Sequence, residues 1–147
     1  MLQKLRERMG REEGFTLVEL LVVMLILGLL AAIAIPSFFN QRDKARDADA
    51  KSAVRTAQTA IETYATDNNG SYAGATPALL VGVEQTLSNV GARLTVPAAA
   101  ADSYTVQVQS EVGATQLFRI TRADTGITSL TCDVGGTAGC PTDGTWD

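Results

Sequence analysis

Residues 14–41 read GFTLVELLVVMLILGLLAAIAIPSFFNQ, and this stretch decides the fold. No charge occurs from Leu20 to Gln41, a span of 22 residues. At ~1.5 Å rise per residue a helix of that length covers ~33 Å, enough for a hydrocarbon core of ~30 Å. In lipid a single span must satisfy its backbone polar groups internally, so it has to be helical. Gly28 and Pro36 interrupt the run. Glycine costs ~1 kcal/mol of helix propensity against alanine, and proline removes a donor and crowds the preceding turn. The segment between them is expected to be the weakest part of the helix. The plain alternative is that membrane helices tolerate both residues.

Beyond Gln41 the pattern changes but helix persists. RDKARDADAKSAVRTAQTAIETYATDNNG contains no proline, and no glycine before Gly70. Ala50, Val54, Ala57, Ile61 and Tyr64 recur at spacings of four and three, which makes one apolar stripe. Lys44, Asp47, Lys51, Arg55 and Glu62 fall mostly off it. Asp67-Asn68-Asn69-Gly70 is a stop signal, because Asn and Gly suit the left-handed conformation that ends helices. One helix from about 15 to about 67 follows, roughly 80 Å long at ~1.5 Å per residue. Its first half is apolar all round and its second half amphipathic. That object suits a membrane-rooted stalk with a domain packed on its outer half.

Residues 70–102 are rich in Gly, Pro and Ala, with a short helical turn expected near Pro77–Val81 and a short strand at Arg93–Val96. Alternation then sets in. Tyr104, Val106 and Val108 alternate with Thr105, Gln107 and Gln109; Phe118, Ile120 and Arg122 alternate with Leu117, Arg119 and Thr121; and Ile127–Cys132 is a third β-prone run. Glu111-Val112-Gly113-Ala114 and Ala123-Asp124-Thr125-Gly126 are turn-like. These elements predict an α+β fold, with a small antiparallel meander whose one face covers the Ala50–Tyr64 stripe.

The tail from Cys132 holds both cysteines. Two cysteines beyond a membrane span point to one disulfide, with free thiols the alternative. A bridge across so short a loop stabilises by ~2.5 kcal/mol on the chain-entropy model. Asp133, Asp143 and Asp147 invite a calcium reading, but their spacing matches no EF-hand loop, so they are read as solvated loop carboxylates.

Upstream, residues 1–14 read MLQKLRERMGREEG, mixed in charge and with no apolar block. Glu19 is the odd residue of the junction, one position before the uncharged run. A carboxylate is tolerable at a membrane edge but needs a cation once drawn into an apolar interior. Cleavage between Gly14 and Phe15 creates such a cation, a new α-amine. In a stack of parallel helices the Glu19 carboxylate of one subunit would pair with the amine of the next and set the register. The alternative role for Glu19 is helix capping or snorkelling at the interface.

Composition excludes more than it proposes. The net charge is −4, and residues 1–14 carry four basic and three acidic side chains, so their removal leaves −5. An acidic chain is a poor nucleic-acid binder, because phosphate neutralisation dominates that affinity. DNA as a partner is conceivable but unsupported. The chain has no histidine, which removes Ser-His-Asp and Cys-His nucleophile systems, His-containing zinc sites and imidazole acid–base chemistry. No carboxylate or lysine constellation replaces them. The expectation is no enzyme, no cofactor and no metal.

Gly14-Phe15-Thr16-Leu17-Val18-Glu19-Leu20-Leu21 closely resembles the prepilin signal of type IV pilins and type II secretion pseudopilins, and the match runs to about Pro36-Ser37-Phe38. The resemblance implies a pilin fold with a prepilin leader at 1–14, a transmembrane and filament-core helix at 15–41, and a periplasmic or extracellular globular domain at 42–147. It implies that prepilin peptidase cuts after Gly14 and methylates the Phe15 amine, and that Glu19 guides assembly. In filaments of this family the helix loosens between positions matching Gly28 and Pro36. The Cys132–Cys140 pair resembles the C-terminal disulfide that closes the variable loop of many pilins, and Tyr64–Tyr72 weakly resembles the helix end of major pilins and pseudopilins. The implied partners are further copies of the chain, the peptidase, the inner-membrane pilus or secretion machinery, and the membrane before assembly. The implied location is the cytoplasmic membrane, with one span, and then a cell-surface or periplasmic filament.

The chain departs from the family in a leader longer than the shortest ones, and in Glu12 and Glu13 beside the cleavage glycine. Charge bias does not orient the span, since four Lys/Arg precede it and five follow within fifteen residues. Two rivals remain: a secretory signal cut after Ala32-Ile33-Ala34, giving a product that starts at Ile35, and a non-polymerising membrane protein with one span. Within the family, an adhesive, motility or DNA-uptake pilin is the first reading and a major pseudopilin the alternative. A conductive role for Phe15, Phe38, Phe39, Tyr64 and Tyr72 is set aside in favour of packing.

Overall fold

The computed structural model describes residues 15–146. The expected leader, Gly14 of the cleavage junction and Asp147 lie outside the described residues. The chain forms two units, one ending at Phe38 and one running from Phe39 to the C-terminus. A single helix, α1 (Leu17–Asp67), is continuous in sequence across both.

α1 begins at Leu17, two residues after the expected start at about 15, because Thr16 caps it. The Glu19 amide donates to Thr16 Oγ1 at 3.2 Å, while Glu19 Oε2 accepts from the Thr16 amide at 2.9 Å. This reciprocal T-x-x-E arrangement satisfies two amide donors that a helix start otherwise leaves open. α1 ends as the stop signal requires. Asn69 (φ 55°) and Gly70 (φ 82°) turn left-handed, and the Gly70 amide returns to the Ala65 carbonyl at 2.8 Å.

In the second unit the chain continues through α2 (Pro77–Val83), capped by Thr76, and two 3₁₀ turns, Gln85–Asn89 and Gly91–Arg93. The helical turn expected at Pro77–Val81 is therefore present and two residues longer. Four strands follow: β1 (Leu94–Ala99), β2 (Tyr104–Gln109), β3 (Leu117–Arg122) and β4 (Thr128–Cys132). They form an antiparallel meander in the order β1-β2-β3-β4. β2 and β3 pair without interruption from Tyr104 opposite Arg122 to Gln109 opposite Leu117. The β1–β2 register shifts between Thr95 and Ala98, where Pro97 has no amide to donate; an edge strand tolerates this. The first strand was expected to end at Val96 and runs on to Ala99 past this irregularity.

The core lies between one face of this sheet and the outer part of α1. Tyr104, Val106, Val108, Phe118 and Ile120 are buried, as the alternation predicts, against Ala50, Val54, Ala57, Ala60, Ile61 and Ala65. Alanine on the helix lets the sheet approach closely, so the bulk comes from the strands and from Leu80, Leu87 and Leu94. Two details correct the sequence reading. Tyr64 packs against the core but is only half-buried, its hydroxyl donating to the Ala73 carbonyl at 3.1 Å, and Ala60 and Ala65 join the buried stripe. Asp47, read as lying off the stripe, is fully buried.

Candidate functional site

In the N-terminal unit the site is a surface rather than a cavity. From Leu17 to Ile35 the side chains are exposed, Ala31 alone being half-buried. Leu, Val, Ile and Met dominate, and Ile33 stands 71% exposed. Soluble monomers rarely expose contiguous apolar surface beyond a few hundred Å². This helix is apolar all round, so lipid or other protein must cover it. It is the one helix among the described residues long and apolar enough to cross a membrane.

Phe15 precedes the first turn and is 83% exposed. Glu19 sits at the helix start, with Thr16 Oγ1 donating to its Oε2 at 2.8 Å. The capping reading of Glu19 is thus realised within this chain. It leaves the carboxylate on the exposed surface, hydrogen-bonded to the residue that follows Phe15. Both Gly28 and Pro36 lie inside continuous helix. A Cβ on Gly28 would meet nothing within 4 Å, so no packing within the chain requires glycine there. Proline at 36 leaves the Ala32 carbonyl without its usual helical donor.

The second unit is fastened by the expected disulfide and by polar groups that the sequence reading missed. Cys132 and Cys140 form a disulfide, with Cα atoms 6.0 Å apart. The loop it closes is tied to α1 through Asp47, whose carboxylate accepts from the Gly139 amide at 2.8 Å and from the Ser110 hydroxyl. A Cβ on Gly139 would stand 2.7 Å from the Asp47 Cβ, so glycine is required for this approach. The available signal was spacing: Asp47 lies three residues before Ala50 and extends the apolar stripe by one turn.

Glu62 makes a second junction. Tyr72 and Tyr104 donate their hydroxyls to it at 2.7 and 2.9 Å, and Arg122 approaches at 3.8 Å. Burial first, and then the Glu62 carboxylate, pushes both tyrosines above their ordinary range. Trp146 makes a third junction. It is buried edge-on to Phe118, donates to the Thr131 carbonyl at 2.8 Å, and lies under Lys51 and Arg55 at 5.6 and 5.2 Å from its ring centre. These are packing devices. Asp143 is held below the usual carboxylate range by the Thr145 hydroxyl and then its amide. Among the described residues no group of three His, Cys, Asp or Glu side chains is placed to hold a metal.

Comparisons with known proteins agree with this surface. Residues 9–35 match the family model described as the prokaryotic N-terminal methylation motif. The chain is 31% identical over 127 residues to the type IV wide pilus major component PilA4 of Thermus thermophilus, covering 82% of this chain and 95% of that protein. It is 39% identical over 59 residues to the type II secretion system core protein G of Aeromonas hydrophila, covering 40% of this chain and 41% of that protein. It is 41% identical over 54 residues to the type IV major pilin protein PilA of Myxococcus xanthus, covering 37% of this chain and 24% of that protein. No solved structure matches. The likeness to the first of these covers most of both chains, and that to the other two spans less than half of each protein. The chain therefore belongs to the type IV pilin and pseudopilin family of filament subunits, which are structural proteins and not enzymes.

Proposed function

We propose that this chain is the subunit of a type IV pilus-like filament used in adhesion, motility or DNA uptake. Prepilin peptidase would cut between Gly14 and Phe15 and methylate the new amine. Residues 15–41 would root the subunit in the cytoplasmic membrane and then form the filament core. Residues 42–147 would face the periplasm or the exterior. The observation that carries this reading is the exposed, all-round apolar surface from Leu17 to Ile35, which ends at one capped carboxylate. In a bundle of parallel copies each such helix covers the others, and Glu19 and a neighbour's amine are the charges that must meet. Gly28 and Pro36 would let the helix loosen as it packs.

A pilus rather than a secretion pseudopilus is supported by the disulfide and by likeness to a pilus component over 95% of that component's length. The 39% identity to core protein G over 59 residues, together with the small sheet, supports the alternative of a major pseudopilin. Mass spectrometry of the mature N-terminus tests processing. N-methyl-Phe15 is expected, and a product beginning at Ile35 would sink the reading. Electron microscopy of cells separates the two filament types, with extended surface filaments expected at native expression.

A further inference from the structure

The end of α1 carries a pattern that its packing does not explain. Asp67-Asn68-Asn69-Gly70-Ser71 contains Asn69-Gly70-Ser71, the one asparagine in the chain followed by a non-proline residue and then Ser or Thr. That triplet is the acceptor pattern for N-linked glycans. Transferases of the bacterial type also require an acidic side chain two positions before the asparagine, and Asp67 stands there. We propose that Asn69 is an N-glycosylation acceptor. The proposal rests on the topology given above, because such transferases act on the non-cytoplasmic face of the membrane.

Capping accounts for part of this stretch and not for the rest. A left-handed turn needs Asn or Gly at 69 and Gly at 70. It needs neither Ser71 nor Asp67. Asp67 is unfavourable where it stands, since a negative charge in the last turn opposes the helix dipole. That turn holds no basic residue, and no ion pair to Asp67 forms among the described residues. The two asparagines also differ. The Asn68 side chain is committed to the Tyr64 carbonyl at 2.8 Å. The Asn69 side chain makes no hydrogen bond among the described residues, and residues 66–70 are all exposed. Ser71 Oγ accepts from the Ala73 amide at 3.3 Å, and its own proton remains available to a recognising enzyme. Helix ends fray at low cost, so the segment can enter a transferase cleft without unfolding the core.

In the transfer, Asn69 Nδ2 bonds to the anomeric carbon of an oligosaccharide carried on a lipid pyrophosphate. The carbon–oxygen bond to the pyrophosphate breaks with its electron pair, and the lipid pyrophosphate leaves. The displaced amide proton passes to a base of the transferase.

The test is a tryptic digest of subunits isolated from native cells, in which Asn69 falls in the Thr56–Arg93 peptide. The proposal expects that peptide to carry an oligosaccharide that fragments from Asn69. Asn69→Gly keeps the left-handed turn and should give normal subunit levels without the sugar. Ser71→Ala should lower occupancy more than tenfold, and Ser71→Thr should retain it. An unmodified or merely deamidated wild-type peptide overturns the proposal, as does sugar that persists in Asn69→Gly. The N-terminal peptide of the same digest reports separately on cleavage before Phe15, so failure of the filament reading is seen independently.

Discussion

The two units of this molecule use hydrophobic residues in opposite ways. In the first, Leu, Val, Ile and Met point outward from Leu17 to Ile35, and the chain buries almost none of them. In the second, the outer part of α1 presents chiefly alanine, and the large side chains of the sheet are buried against it. The contrast separates two sources of order. The first unit has its backbone bonds and its cap but depends on lipid or other subunits for its side chains. The second supplies its own core and fastens it with a disulfide, a buried carboxylate and a tryptophan. Assembly should therefore be sensitive to changes in the first unit that leave the second untouched, and the reverse should hold for stability.

Glu19→Ala gives the largest expected effect. Filament yield in cells should fall more than tenfold, while thermal unfolding of the detergent-solubilised subunit stays the same. Equal yields by quantitative microscopy would remove Glu19 from assembly. Trp146→Ala should act the other way. Removing a buried tryptophan costs about 3–5 kcal/mol, read as a lowered midpoint in denaturant titration. Asp47→Ala leaves the Gly139 amide and the Ser110 hydroxyl without their acceptor, at a cost of about 3 kcal/mol. The same titration checks it, and Asp47→Asn should recover part of the loss.

The smallest effect is on alkaline stability. Tyr72 and Tyr104 are raised above their ordinary value of 10.0 in the folded chain. The folded state therefore holds protons that the unfolded state has lost. Their contribution is complete below pH 10.0 and declines as pH rises through the folded values. Tyr104→Phe should flatten the fall of the unfolding midpoint between neutral and strongly alkaline pH. An unchanged slope would contradict Tyr104, raised first by burial and then by the Glu62 carboxylate, as its source.

What was legible in the sequence follows the same division. The long helix, its stop at Asn69-Gly70 and the alternating strands could be read because each is set by local periodicity or turn chemistry. The candidate residues from Phe15 to Pro36 could be named because the motif is contiguous. In the sequence Asp47, Glu62, Lys51 and Arg55 fall mostly off the apolar stripe. In the fold Asp47 is buried, and Glu62, Lys51 and the exposed Arg55 meet partners distant in the chain: Gly139 for Asp47, Tyr104 for Glu62, and Trp146 for Lys51 and Arg55. No local pattern encodes such a meeting. The capping box at Thr16 and Glu19 was open to a sequence reading, but it stood there only as an alternative to intersubunit pairing.

The account rests on the apolar helix being covered by other copies of itself. A reconstruction of filaments purified from cells, at a resolution that traces side chains, tests this most directly. It should place residues 15–41 of successive subunits in the filament centre, with each Glu19 against a neighbour's Phe15 amine and the sheets outside. A filament with those residues absent, or lying on its outer surface, would contradict the account.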